Sequence, residues 1–253
     1  MSIDEEEYAA LTRWRLLQAE KIMPVVKDAI VPVWTECSNG MRRLIGTAFF
    51  AERNARSFLV TALHIFTNNP GAVLKIELSG VTWTLNGMFA RVSAEDDLWI
   101  AEACVDLHNL LRNIRTPLLE RDDPEDCRYG AGSVLVGYPV ALTSPDEEFQ
   151  VLPISTHLEI RGLTSETELP EPLFFNVEGD SLYSACGEAV IDLPEMFGMS
   201  GGPVFSWNLT PIEGTDSWGL HFFLQGVTIG WARCNGYLVA CNAARIVALL
   251  EGP

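Results

Sequence analysis

The sequence predicts a mainly β protein built in two halves, and three observations carry that expectation. Apolar residues alternate with polar ones over several short runs, two-residue turn signals separate consecutive runs, and a charged, proline-bearing stretch divides them into an earlier and a later group. The 253 residues, 48% hydrophobic and 20% charged, suffice for a sizeable buried core.

The first element, Asp4 to about Met23, reads as a helix. Leu11, Trp14 and Leu17 recur at helical spacing, and three glutamates near the start favour the helix dipole. Pro24 is expected to end or kink it. The period then switches to two. Leu74, Ile76 and Leu78 alternate with Lys75 and Glu77, and Val81, Trp83 and Leu85 alternate with Thr82 and Thr84. Ser79-Gly80 and Asn86-Gly87 separate consecutive runs by two residues each, and Asn-Gly is the strongest short hairpin signal because both positions tolerate positive φ, so a β-meander is expected. Further strands are expected at Leu44 to Ala51, Phe58 to Ala62, Leu98 to Val105 and Val134 to Tyr138. The later ones are Leu158 to Arg161, Leu173 to Val177, Val204 to Trp207, Phe222 to Trp231 and Tyr237 to Cys241. The charged stretch from Thr116 to Gly132 is expected to connect the halves, and Asn208 to Gly219 to form a surface loop. Asn242 to Leu250 offers an Asn cap and an apolar face of Ile246, Val247, Leu249 and Leu250, hence a short C-terminal helix.

Composition narrows the function. A net charge of -17 would repel phosphate backbones, so no nucleic acid is expected, and no apolar run approaches the ~20 residues of a membrane span, so no membrane partner is expected. The start Met-Ser-Ile-Asp-Glu-Glu-Glu is the opposite of a secretory signal, and a cytoplasmic location is expected. Six cysteines without a C-x-x-C pair read as reduced structural thiols, with Cys234 and Cys241 out of register for a bridge. His108, His157 and His221 lack metal-ligand spacing, so neither metal nor cofactor is expected.

The sharpest local feature is Gly198-Met199-Ser200-Gly201-Gly202-Pro203, where glycines leave a serine hydroxyl unobstructed and its neighbouring N–H groups free to face an anion. A nucleophile elbow would need a helix straight after the serine and the order Ser, acid, His. Pro203-Val204-Phe205 reads as strand instead, and only His221 follows Ser200. Upstream, Phe58 to His64 places a histidine at the end of an apolar strand, and Asp97 opens the strand Leu98 to Ala101. The order His64, Asp97, Ser200 supplies a base for a serine proton and a carboxylate to orient that base.

With these residues in place, the sequence resembles the trypsin/chymotrypsin-like serine peptidases, especially the bacterial cytosolic trypsin-like peptidase domain proteins. The resemblance rests on Gly46-Thr47-Ala48-Phe49-Phe50, Leu59 to His64, Asp97-Leu98-Trp99-Ile100 and Gly198 to Pro203. Weaker echoes occur at Val136-Gly137-Tyr138-Pro139 and Leu224-Gln225-Gly226-Val227. It implies two six-stranded antiparallel β-barrels with the site between them. The divisions expected are a helical extension over 1-30, a first barrel over 31-115, a linker over 116-132 and a second barrel with the C-terminal helix over 133-253.

By this resemblance Ser200 attacks the scissile carbonyl, His64 carries the proton to the leaving amine, Asp97 orients His64, and the N–H groups of Gly198 and Ser200 form the oxyanion hole. The substrate pocket is implied at Pro194 and Glu195 and at Ile229, Gly230 and Trp231. Trp231 either narrows that pocket toward small side chains or packs in the core. A hydroxyl supporting Asp97 comes from Thr228 or, on a stricter count, is lost to Ile229. Met199 stands where digestive relatives keep the aspartate that receives a newly cut N-terminus, so activation by trimming is not expected.

The expected function is a serine endopeptidase cleaving one or few protein targets, controlled by a regulatory or sensor partner. The alternatives are a catalytically silent protease-like binding scaffold and an esterase using the same residues.

Overall fold

A computed structural model describes residues 21–117, 119, 132–140, 149, 151–156, 158–159, 172–176, 197–211, 218–232 and 237–252. Helix α1 covers 21–26 and tightens into a 3-10 turn at Lys27–Ala29. The helix thus runs through Pro24 instead of stopping there, because proline withholds its own N–H but leaves the residues after it free to stay helical. Ile22 and Val26, one turn apart, are buried in the main core. The expected start of this helix, with Leu11, Trp14 and Leu17, lies outside the described residues.

The first sheet contains β1 (Ile30–Glu36), β2 (Arg42–Arg53), β3 (Arg56–Ala62), β4 (Lys75–Leu78), β5 (Val81–Thr84), β6 (Ala90–Ser93) and β7 (Leu98–Glu102). Its order is β5-β4-β1-β2-β3-β7-β6, antiparallel throughout. The second contains β8 (Gly132–Gly137), β9 (Leu152–Thr156), β10 (Leu158–Glu159), β11 (Leu173–Asn176), β12 (Pro203–Pro211), β13 (Trp218–Ala232) and β14 (Tyr237–Asn242). Its order is β10-β11-β14-β13-β12-β8-β9, again antiparallel. Among the described residues each sheet shows seven strands where six were expected. The surplus comes from short edge segments whose side chains carry no period-two pattern: β6 is exposed or half-buried along its length, and β10 has two residues.

Three local expectations change. Ser79 and Gly80 do take positive φ, at 51° and 76°, and close the tight β4–β5 hairpin. Asn86-Gly87, by contrast, joins no hairpin, since β5 and β6 lie at opposite edges of the sheet. The Asn86 amide turns back: its Oδ1 accepts from Leu74 N–H at 2.6 Å and its Nδ2 donates to Ala72 O at 3.0 Å. Val105 does not extend β7. It opens helix α3 (Val105–Leu111), which buries Leu107 and Leu111 one turn apart. The expected loop at 208–219 is largely ladder, with Asn208 to Pro211 paired to His221 to Trp218.

The C-terminal helix α4 (Ala243–Glu251) forms as its cap foretold, with Asn242 Oδ1 accepting from Ala244 N–H at 2.9 Å and Ile246 and Val247 buried. It is strapped to the first sheet. Arg91 Nη1 donates to the carbonyls of Leu249 and Leu250 at 3.0 and 2.7 Å, completing acceptors at the helix end, and Arg53 pairs with Glu251 at 2.5 Å. Near residue 117 the chain follows β2: Glu52 donates to Pro117 O at 2.9 Å and accepts from Leu119 N–H at 2.8 Å. Among the described residues no helix is long and apolar enough to cross a membrane.

Strand β2 breaks the alternation of a one-faced strand, since every residue from Gly46 to Ala51 is buried. One polar residue sits in that run, and it ties the two sheets together. Thr47 Oγ1 donates to Gly198 O at 2.6 Å and accepts from Tyr138 N–H at 3.0 Å, while Thr47 N–H donates to Ser200 O at 2.8 Å. Tyr138, just past β8, donates its hydroxyl to Ile30 O at 3.0 Å, and burial pushes that phenol up to about 12. Replacing Thr47 with Val keeps the volume but strands the Tyr138 N–H and Gly198 carbonyl. We expect Thr47→Val to lose about 2 kcal/mol of stability in urea unfolding, with Thr47→Ser recovering most of it.

Candidate active site

Strand β3 ends at Ala62, and His64 opens the four-residue helix α2 (His64–Thr67). Phe66 of this helix stacks on Trp99 of β7, ring centroids 4.8 Å apart, which holds the short helix against the sheet. Asp97, immediately before β7, is a non-glycine residue at φ 53°. That left-handed backbone is uncommon for aspartate and is sustained by contacts on both sides of the residue. Asp97 O accepts from Leu63 N–H at 2.9 Å, and its carboxylate accepts from His64 twice, from the backbone N–H at 2.8 Å and from Nδ1 at 2.5 Å. The imidazole is fixed through Nδ1, so Nε2 is the nitrogen left to take a proton.

Among the described residues Asp97 receives no hydroxyl from the second sheet. Thr228 is tied by its backbone, accepting from Gly201 N–H at 2.6 Å and donating to Gly202 O at 2.8 Å, and its Oγ1 is buried without a hydrogen bond. The Asp97 carboxylate is satisfied by the His64 backbone instead. Its neighbour Asp96 is buried: Arg245 of α4 donates through Nε at 2.6 Å and Nη2 at 3.3 Å, and Ser93 Oγ donates at 2.7 Å. The Asp96 carboxylate beside Arg245 holds the guanidinium's proton more firmly than usual. Sequence reasoning missed Arg245 because its partner lies 149 positions away. Cys241, buried close by, has its thiol pushed up to about 12 by burial and is no nucleophile at neutral pH.

The serine loop follows from two glycines. Gly198 has φ 94°, and a Cβ there would overlap Tyr138 O; Gly201 has φ 84°, and a Cβ there would overlap Thr47 O and Thr61 Oγ1. Side chains at either position would push the loop off β2. Phe197 O accepts from Val140 N–H at 2.7 Å. Because a trans peptide sets its N–H opposite its C=O, this points the Gly198 N–H the other way. Neither Gly198 N–H nor Ser200 N–H has an acceptor among the described residues.

Ser200 and His64 line one cleft of about 470 Å³, together with Gly198, Ile229 and Gly230. No hydrogen bond joins Ser200 Oγ to His64. Of the expected pocket residues, Ile229 and Gly230 are on the cleft wall, and a Cβ on Gly230 would meet nothing within 4 Å. Pro194 and Glu195, and the side chain of Trp231, lie outside what is described. Cys37, Cys104 and Cys241 are free thiols.

No family model and no curated protein matches this chain. Solved structures do. The HtrA-type protease AlgW with tripeptide aligns at TM-score 0.54 and 16% identity over 93% of this chain and 62% of that one. The same protease with decapeptide aligns at TM-score 0.54 and 13% identity, over 92% and 67%. This chain thus spans 62% of the length of the first of these neighbours.

The Arg245–Asp96 pair has a measurable consequence. Arg245→Met leaves a buried carboxylate without its cation, and we expect a loss of about 2 kcal/mol in urea unfolding. The loss falls short of that for a fully desolvated pair because about a third of the Arg245 side chain, 35%, meets water. Arg245→Lys should recover part of it. Taken together, two antiparallel sheets, few helices and these structural neighbours show a chymotrypsin-like double β-barrel fold, the fold of trypsin-like proteases.

Proposed function

We propose that the protein is a serine endopeptidase that hydrolyses peptide bonds through Ser200, His64 and Asp97. The observation that carries this reading is the pair of N–H groups at Gly198 and Ser200 that have no acceptor among the described residues, in one cleft with a serine hydroxyl and a histidine whose other nitrogen is committed to a carboxylate. A serine held only for structure needs none of these.

In this mechanism His64 Nε2 takes the Ser200 proton as Oγ attacks the substrate carbonyl, and the Asp97 carboxylate stabilises the resulting imidazolium. The negative charge that develops on the carbonyl oxygen meets the Gly198 and Ser200 N–H groups, which need no reorganisation to receive it. Collapse of this intermediate breaks the C–N bond, and the imidazolium gives its proton to the leaving amine. Water then hydrolyses the acyl-enzyme by the same route in reverse. Control by a separate regulatory partner, action on one or few protein targets and a cytoplasmic location belong to the same proposal.

One observation favours a second reading, a protease-like scaffold that binds without turnover: the Thr228 hydroxyl that would support Asp97 makes no hydrogen bond.

Labelling by a fluorophosphonate separates the two. At neutral pH the wild-type chain should gain one adduct by intact mass, absent in Ser200→Ala and His64→Ala. Asp97→Asn swaps the carboxylate that fixes the His64 tautomer for an amide that does not, and should slow labelling by at least about 10³-fold. Absence of any adduct in the wild type would favour the scaffold.

A further inference from the structure

The cleft continues past His64 and Ser200 toward the start of β2, and that end differs in character from the rest. Its wall is apolar: Leu44 is buried and Ile45 half-buried, while Val140 and Phe197 are 41% and 64% exposed, two large apolar side chains left facing water beside the serine loop. Among the described residues that line it, a single permanent charge stands there. Arg43 is exposed, and its Nη2 lies 3.5 Å from Asn69 Oδ1, which places the guanidinium on the cleft side. The adjacent Arg42 is already paired with Glu77 at 2.9 Å, whereas no carboxylate among the described residues comes within 4.0 Å of Arg43.

The rest of the molecule makes this arrangement telling. With a net charge of -17, acidic groups outnumber basic ones two to one, and a carboxylate approaching the chain meets repulsion over most of its surface. An unpaired guanidinium on an apolar shelf gives one local exception, and its planar fork matches a carboxylate. We propose that this end of the cleft is a subsite for a carboxylate, so that the enzyme selects peptides bearing an acidic group there with an apolar residue packed on Val140 and Phe197. The inference rests on the proteolytic reading for its substrate class. The carboxylate could belong to an Asp or Glu side chain or to the end of the peptide chain.

The test uses the full-length protein and a peptide mixture with randomised positions on both sides of the cut, read by mass spectrometry. Matched peptides then carry Glu, Gln or Lys at the position selected, and a further pair ends there in a free carboxylate or an amide. We expect kcat/KM to favour Glu over Gln by about fivefold, to fade in high salt, and to reverse toward Lys in Arg43→Glu. A free terminal carboxylate favoured over the amide, with no effect of Glu, would assign the chain end as the source. Equal rates for all forms, or a preference that survives both Arg43→Gln and Arg43→Glu, would overturn the proposal. If the wild type cleaves nothing, the proteolytic reading fails on its own, and binding decides the subsite. Fluorescently labelled Glu and Gln forms of an apolar peptide are titrated against Ser200→Ala. About fivefold tighter binding of the Glu form, lost when Arg43→Gln is added, supports the subsite; equal or undetectable binding overturns it.

Discussion

A threonine hydroxyl buried between two sheets is the constraint on which the candidate site depends. Thr47 lies in a strand buried on both faces, and its backbone and side chain hold the Gly198 carbonyl, the Ser200 carbonyl and the Tyr138 N–H at once. A buried hydroxyl with both its donor and its acceptor used costs little to desolvate and specifies one geometry. Its own carbonyl accepts from Thr61 Oγ1 at 2.6 Å, on the strand that leads to His64. The serine loop and the histidine strand are thereby referenced to one residue. The positive φ of Gly198 and Gly201 follows, because only a backbone without Cβ can approach β2 and Tyr138 so closely.

The acidic side of the site is organised by a different rule. Two aspartates adjacent in the chain face different partners: Asp97 turns to His64, and Asp96 turns to Arg245 on the last helix. Burying either carboxylate alone would be costly, and each is offset by directed hydrogen bonds. The C-terminal helix therefore does more than close the core. Through Arg245 it bears on the turn that carries Asp97, and Arg91 and Arg53 tie its far end to the first sheet.

This use of arginines also accounts for where charge is scarce. In a strongly acidic chain, Arg53, Arg56 and Arg245 are committed to Glu251, Glu102 and Asp96, and Arg42 and Lys75 to Glu77 and Glu36. Several of these pairs are exposed and contribute little to stability. Their effect is on the field: they neutralise acid locally and leave Arg43 as the permanent cation among the described residues that line the cleft.

Much of this was legible along the chain, and the limits have physical causes. Period two revealed β4, whose burial follows the pleat, and its hairpin partner β5, and apolar runs revealed β3 and β7, which are buried on both faces. It failed for β1, β6 and β9. The first carries Pro32 within a mostly buried run, and the second is an edge strand with no buried face, so neither alternates. Asn86-Gly87 misled because an Asn side chain that caps backbone groups twelve residues away has the same local signature as a tight hairpin. The sequence by itself determined the residue types that can do acyl-transfer chemistry, the glycines that free the serine, and the Asn cap of the last helix, since each depends on covalent structure or neighbours within a turn. Only the tertiary structure decided that Thr47 joins the halves, that Asp96 is buried against Arg245 and that the Thr228 hydroxyl does not bond to Asp97. Those contacts pair residues scores of positions apart, and no local pattern encodes which of several hydroxyls or arginines the folded chain brings within hydrogen-bonding reach.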